Sequence, residues 1–250
     1  MKPPTIFKNI IMYEQVSSTN TIAKESDLEN GTVFIAKSQT NGKGRMGRVW
    51  ESKNGDGIWM SMLLRPNIDP ENVFQVSLVS GIAVCEALKE MFEFDFKIKW
   101  PNDIVYHGKK VCGILVEMVL KNNRVEKIIN GIGINTNANC FPDELKNKAT
   151  SLFLLTDQKQ NNDEITQKVL EKFELYYNLL LDGNVNEIIT AFEKLCINKG
   201  KEVKIINGGK EITGTATGIT EKGELIVEVN GKKLTVNSGE VSIRGIYGCD

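Results

Sequence analysis

The sequence has one histidine, His107, and no Cys-x-x-Cys pair among its five cysteines. A lone imidazole cannot build a histidine-based metal site, which argues against zinc chemistry. Ser-His-Asp or Cys-His catalysis would have to rest on His107, and no Gly-x-Ser-x-Gly elbow accompanies it. His107 lies in Tyr-His-Gly-Lys-Lys, a composition that predicts an exposed turn. Cys85, Cys112, Cys140, Cys196 and Cys249 are odd in number and scattered, as expected of reduced thiols in a cytoplasmic protein. No apolar run reaches the roughly 18 residues of a membrane span, and Met1 to Ile11 lacks a signal-peptide core. Neither charge sign dominates: 31 cations against 32 acids leave a net charge of −1. That excludes a dedicated nucleic-acid binder, whose phosphate contacts need a basic excess. Any cationic site must be local.

A chain of 250 residues with 41% hydrophobic side chains can bury a sizeable core. Ser17 to Asn20 offer N-caps for a helix over roughly Ile22 to Leu28. Thr32–Lys37, Ile58–Leu64, Phe96–Trp100 and Lys127–Ile134 read as strands. Asn72–Met91 carries apolar residues near helical period. Val105–Leu120 reads as a hairpin around His107-Gly108-Lys109, with Val111–Leu120 as its second arm. Thr156–Glu164 reads as a loop, followed by helices over Ile165–Leu181 and Val185–Cys196. Beyond Asn198 the chain changes character. Residues 200–250 hold ten glycines and short alternating strands, the pattern of a small barrel. The expected division is 1–197 and 198–250.

The densest chemistry is Gly42-Lys-Gly-Arg-Met-Gly-Arg-Val-Trp50. Lys37, Lys43, Arg45 and Arg48 fall within twelve residues that contain no acid. Glycines let a loop wrap a ligand, cations suit carboxylate and phosphate, and Trp50 can stack on a flat ring. A plain solvated turn has the same composition. The run is not a P-loop, since no Gly-Lys-Ser/Thr follows. It is not a dinucleotide fingerprint either, lacking the acidic residue about 20 positions on. A second constellation runs from Lys97 to Glu117: Lys99-Trp-Pro-Asn-Asp103 and then Lys110-Val-Cys-Gly-Ile-Leu-Val-Glu117. Asn102-Asp103 alone also suits an Asx turn, and Lys109-Lys110 an exposed tip. Gly131-Ile-Gly-Ile-Asn135 is a third segment open to close ligand approach.

Together these segments resemble the biotin protein ligases. That family carries Gly-Arg-Gly-Arg-x-Gly-Arg with a nearby Trp, then Lys-Trp-Pro-Asn-Asp, Lys-x-x-Gly-Ile-Leu-Val-Glu and Gly-x-Gly-x-Asn, in the order found here. Ser18-Thr19-Asn20, Gln39, Ala149-Thr-Ser-Leu152 and Ser238-Gly-Glu-Val241 extend the match along most of the chain. The resemblance implies an α+β fold: a mixed sheet flanked by helices, like a class II synthetase core, followed by an SH3-like barrel. It implies ATP-dependent formation of biotinyl-5′-AMP and transfer of biotin to a lysine of a biotin carboxyl carrier domain. Biotin would meet Ser18, Thr19, Asn20, Gln39, Lys43, Gly44, Arg45, Lys110 and Gly113. ATP would meet Arg45, Arg48, Trp50, Asn102 and Asn135, with Mg²⁺ carried on its phosphates. Arg45 and Lys110 would act at the reacting carboxylate and phosphate. Asp103 would orient the acceptor lysine or help hold the metal. Cys112 reads as a packed core thiol.

Two departures stand out. Lys43 replaces the family's usual arginine, keeping the charge and losing the bidentate fork. Some fifteen residues precede Ser18, too few for the helix-turn-helix module of relatives that repress transcription, so no DNA-binding role is carried over. Some relatives dimerise, so a homodimer is possible. Because an acyl-adenylate must be kept from water, the Gly/Arg loop is expected to close over it. Rival readings are a lipoate or octanoate ligase, whose acid lacks the ureido group, and a non-catalytic regulator that binds biotinyl-AMP.

Overall fold

Residues 5–207, 210–237 and 242–245 are described by the structure, a computed structural model. Its centre is a seven-stranded mixed sheet in the order β1 (Asn9–Val16), β2 (Thr32–Gln39), β3 (Gly57–Leu64), β7 (Arg124–Asn135), β6 (Lys109–Lys121), β5 (Asp103–Tyr106), β4 (Lys97–Lys99). Only β1 and β2 run parallel; the other neighbours are antiparallel. β3 reads Gly-Ile-Trp-Met-Ser-Met-Leu-Leu and is buried along its whole length, as a strand covered on both faces must be. One face packs on α2 (Gln75–Phe92), α4 (Asn162–Leu181) and α5 (Val185–Leu195) around Val79, Ile82, Ile98, Ile132, Phe173 and Phe192. On the other face a smaller cluster of Phe34, Leu63 and Ile129 receives Ala23 of α1 (Thr19–Glu25). α2 is long and apolar enough to pass as a membrane span, but 78% of its apolar window is buried inside the protein, so it is the core helix.

The expected strands and long helices are present. The differences have physical reasons. β1 was not expected: Asn-Ile-Ile-Met-Tyr-Glu-Gln-Val is mostly exposed and only partly buried against β2, so it carries no clean alternation. The short helix α3 (Leu152–Thr156), capped by Ser151 Oγ accepting from Leu154 N, is too brief to show a period. α1 begins at Thr19 rather than near Ile22 and ends at Glu25. Thr19 and Asn20 therefore lie in its first turn, and their side chains are turned to other partners. Lys110 lies within β6 rather than ahead of it, and Asp103 opens β5 opposite Gly113.

The C-terminal strands β8 (Glu202–Asn207), β9 (Lys210–Ile219), β10 (Leu225–Val229), β11 (Lys232–Val236) and β12 (Ser242–Gly245) form one antiparallel sheet, ordered β11-β10-β9-β8-β12. This fits the expected SH3-like module. The Ser238–Val241 match and Cys249 lie outside the described residues. The module is fastened to the large sheet through Trp100. Its indole donates to Gly223 O at 3.0 Å and meets Phe74 edge-on, while its backbone N donates to Asn198 Oδ1 at 2.8 Å. Asn198 is fully buried. Asn198→Ala would strand the buried Trp100 N–H, so it is expected to lower unfolding stability by about 1–3 kcal/mol in urea titrations. An unchanged midpoint would show that this anchor carries no stability.

Candidate active site

The site lies on the α1 side of the sheet, where β3, β7 and β6 come together. Gly113 and Gly133 are directly paired across β6 and β7. A Cβ on Gly113 would stand 2.8 Å from the Trp50 ring, and one on Gly133 2.6 Å from Trp50 Nε1. The two glycines thus make a bare backbone floor on which the indole rests. Trp59 meets Trp50 edge-on at 6.4 Å, and Lys110 Nζ stands 4.8 Å from its ring centroid, a cation–π contact. Trp50 Nε1 is buried without a partner among the described residues.

Residues Gly42 to Trp50 fold into a small hairpin. Trp50 N donates to Gly42 O at 2.9 Å and Gly44 N to Arg48 O at 2.7 Å. The left-handed turn at its tip falls on Met46 (φ 56°) and Gly47 (φ 73°). The side chain of Arg45 points back to the sheet: Nη1 donates to Asn102 Oδ1 at 3.0 Å. Asn102 is held in turn by Ile114, accepting from its N at 2.9 Å and donating Nδ2 to its O at 2.8 Å. Burial pushes the Arg45 guanidinium below its usual pKa; nearby Asp103 opposes the shift and Arg48 adds to it. Arginine stays cationic at neutral pH regardless. Lys110 Nζ stands 2.6 Å from Asp103 Oδ1. The contact is a charge pair without hydrogen-bond angles, so that oxygen, though buried, has no directed donor. The Lys110 backbone is fixed by a bridge to Ala149, with N donating to Lys148 O and O accepting from Thr150 N.

A polar wall closes the other end. Gln39 Oε1 accepts from Thr19 N at 2.8 Å, and Gln39 Nε2 donates to Ser52 Oγ at 2.7 Å. Ser18, Thr19 and Asn20 are all buried. Asn20 reaches Ser61 of β3 and Glu117 of β6. A Cβ on Gly131 would come within 2.2 Å of Asn20 Oδ1, so that glycine makes room for the amide.

Two cavities meet at this point. A small one of about 50 Å³ is lined by Ser18, Thr19, Asn20, Gln39 and the glycine floor. A larger one of about 480 Å³ is lined by Arg48, Asp103, Asn135 and Lys148, among others. Gly44, Arg45, Trp50, Trp59, Asn102 and Lys110 border both. The expected biotin, ATP and catalytic residues therefore all line these two cavities, whereas Lys37, counted in the same cationic run, pairs with Glu14 on the surface. Lys43 is exposed at the base of the hairpin beside the small cavity, and Arg48 is exposed beside the large one. Trp50 lies between the cavities, and Asn135 donates Nδ2 to Thr150 O at 3.2 Å. Sequence reasoning missed Ser52, Ser61 and Lys148. Ser61 in a run of apolar residues was the available signal, since a hydroxyl there needs a buried partner. His107 is an exposed left-handed turn residue and Cys112 a buried thiol whose pKa burial raises, both as expected. Among the described residues no three His, Cys, Asp or Glu side chains converge.

Residues 12–135 match the biotin/lipoate A/B protein ligase family, and residues 200–244 match the biotin protein ligase C-terminal domain. The bifunctional ligase/repressor BirA of Bacillus subtilis is 35% identical over 97% of this chain and 76% of its own length. The biotin–[acetyl-CoA-carboxylase] ligase of Mycobacterium tuberculosis is 28% identical over 94% of this chain and 89% of its own. Among solved structures, the Aquifex aeolicus biotin protein ligase in complex with biotin and ATP is 38% identical, covers 96% of this chain and all of its own, and superposes with a TM-score of 0.86. The ordered motifs, the paired glycine floor, the cationic hairpin and these likenesses agree: the chain belongs to the biotin protein ligase family.

Proposed function

We propose that this chain joins biotin to ATP as biotinyl-5′-AMP and then passes the biotinyl group to a lysine of a biotin carboxyl carrier domain. The carrying observation is the shared border. Arg45 and Lys110 stand between a polar, side-chain-lined pocket and a larger cavity, where an acid and a nucleotide must meet. In the first step a carboxylate oxygen bonds to the α-phosphorus and the bond to the β-phosphate bridging oxygen breaks, releasing pyrophosphate. Both reactants are anions. Two unit charges about 4 Å apart repel by about 1 kcal/mol in water and about 4 kcal/mol at an effective dielectric near 20. Arg45 and Lys110 offset that repulsion and stabilise the charge that builds up in the transition state. In the second step the carrier amine bonds to the acyl carbon, AMP leaves, and the amine gives up a proton.

Asp103 faces Lys110 and the larger cavity. That suits orienting and discharging the incoming lysine better than holding a metal. Mg²⁺ would arrive on the triphosphate and neutralise part of its charge there; among the described residues no cluster of three His, Cys, Asp or Glu side chains is present to hold it without the nucleotide. Arg48 and Lys43 would hold phosphate and biotin oxygens, Trp50 would shield the base end, and Asn135 would border it. The wall of Ser18, Thr19, Asn20 and Gln39 suits a ureido head and has nothing to offer a dithiolane ring. The small cavity lies far below the roughly 300 Å³ of ordinary ligand pockets, so the acid must widen it on entry. The division into 1–197 and 198–250, a cytoplasmic location with reduced thiols, and a homodimer formed through free strand edges belong to the same reading.

Biotin should drive ATP–pyrophosphate exchange, and biotin should appear on a carrier domain; exchange with lipoate in its place, or exchange without transfer, would replace this reading with one of its rivals. Lys110→Ala is expected to reduce exchange by at least about 100-fold, and near-normal exchange would remove Lys110 from the chemistry. Arg45→Gly is expected to release free biotinyl-AMP into solution, measurable by chromatography, while wild-type protein retains it. Equal retention by both would assign Arg45 no part in holding the intermediate.

A further inference from the structure

We infer that Lys99 binds the pyrophosphate that leaves in the first step, at the β4 end of the large cavity. The inference rests on the biotin reading above and concerns where the leaving group goes.

A single row of paired residues crosses the sheet beneath the site. It runs from Trp59 on β3 to Gly133, Gly113, Asp103 and, on the edge strand β4, Lys99. Residues paired in this way present their side chains on one face, so Lys99 stands on the same face as Asp103 and the glycine floor. Its neighbour Ile98 is buried in the core on the helix side. Lys99 is half-buried and lines the large cavity. The row gives the reaction a direction. The polar pocket lies over β2 and β3, under Ser18, Thr19 and Asn20, so a carboxylate reaches the α-phosphorus from that side. Displacement at phosphorus runs in line, so the departing oxygen must point the other way, past Asp103 toward β4. The base takes neither direction. Trp50 rests on the floor and Asn135 lies two residues beyond Gly133 on β7, along the strands rather than across them. The electron pair of the broken bond stays on the bridging oxygen, which becomes a terminal oxygen of pyrophosphate, so negative charge grows on the β4 side. Lys99 is available to meet it. Lys97 is paired with Asp95 at 3.0 Å and Lys110 with Asp103, whereas Lys99 makes no ion pair among the described residues. Since Lys110 and Asp103 offset each other, Lys99 is the residue that leaves this end of the row positive toward a multiply charged anion.

ATP–pyrophosphate exchange over a range of pyrophosphate concentrations tests this, together with single-turnover transfer from preformed biotinyl-AMP to a carrier domain. Lys99→Met is expected to raise the half-saturating pyrophosphate concentration about tenfold, the worth of one charge-assisted contact. Biotin affinity by calorimetry and transfer from preformed biotinyl-AMP should change by less than about twofold, because neither involves pyrophosphate. Lys99→Arg keeps the charge and should stay within about threefold of wild type in all three measurements. An unchanged pyrophosphate dependence in Lys99→Met, or equal losses in exchange and in transfer, would overturn the assignment and leave the biotin reading standing. A wild-type chain that neither exchanges with biotin nor transfers it would overturn both.

Discussion

One side-chain hydrogen bond, from Arg45 Nη1 to Asn102 Oδ1, ties the cationic hairpin to the sheet, and the geometry of the site depends on it. Asn102 exchanges hydrogen bonds with both backbone groups of Ile114, so its position is set by β6. Lys110 belongs to the same strand, and its own backbone is bracketed by Lys148 and Thr150. Two cations that approach from different elements are thereby referred to a single strand. The alternative, a loop cation placed only by the loop, would share the loop's freedom. Positioning of this kind matters most where charge builds up in a site of low dielectric.

The polar end obeys a different logic. Thr19 and Asn20 open a helix, yet neither side chain caps it; both are committed to partners on β2, β3 and β6. A hydroxyl at Ser61 in the middle of a fully buried strand would be costly unpaired, and here both its contacts are made. Local preference gives way to a network because a half-satisfied network is worse than an apolar one. The far side of the sheet shows the ordinary case, with aliphatic and aromatic side chains of β3, α2 and α4 filling one continuous core.

Much of this was legible in the chain. Periodicity marked α2 and α4, continuous apolar runs marked β3 and β7, and Gly-Lys-Gly-Arg, Trp-Pro-Asn-Asp and Lys-x-x-Gly-Ile-Leu-Val-Glu marked the site. What was not legible is non-local. β1 lacks a pattern because an outer strand needs burial on few of its residues. The start of α1 depends on what Thr19 and Asn20 find across the sheet, which no local window contains. Ser61 and Lys148 acquire roles only through pairing, Ser61 with a helix some forty positions earlier and Lys148 with Lys110. Cys112 shows the converse. It lies two residues from Lys110, where plain alternation would put both on one face, but the bulge opposite the step from Ile104 to Val105 turns Cys112 into the apolar core, where its thiol is held protonated.

The opposed glycines of β6 and β7 bear on how such a chain can change over generations. The floor exists because Gly113 faces Gly133, a matter of register rather than of composition. A single inserted or deleted residue between Lys110 and Gly113 would break one of two registers: either Gly113 slides opposite Ile132 or Ile134, or Lys110 turns to the helix side. The same event at the Asn122-Asn123 turn, where the strands have already passed a bulge between Val119 and Leu120, would alter only the tip. Length variation should therefore be purged from the first half of this hairpin and accumulate at its distal end, giving one hairpin two very different tolerances to drift.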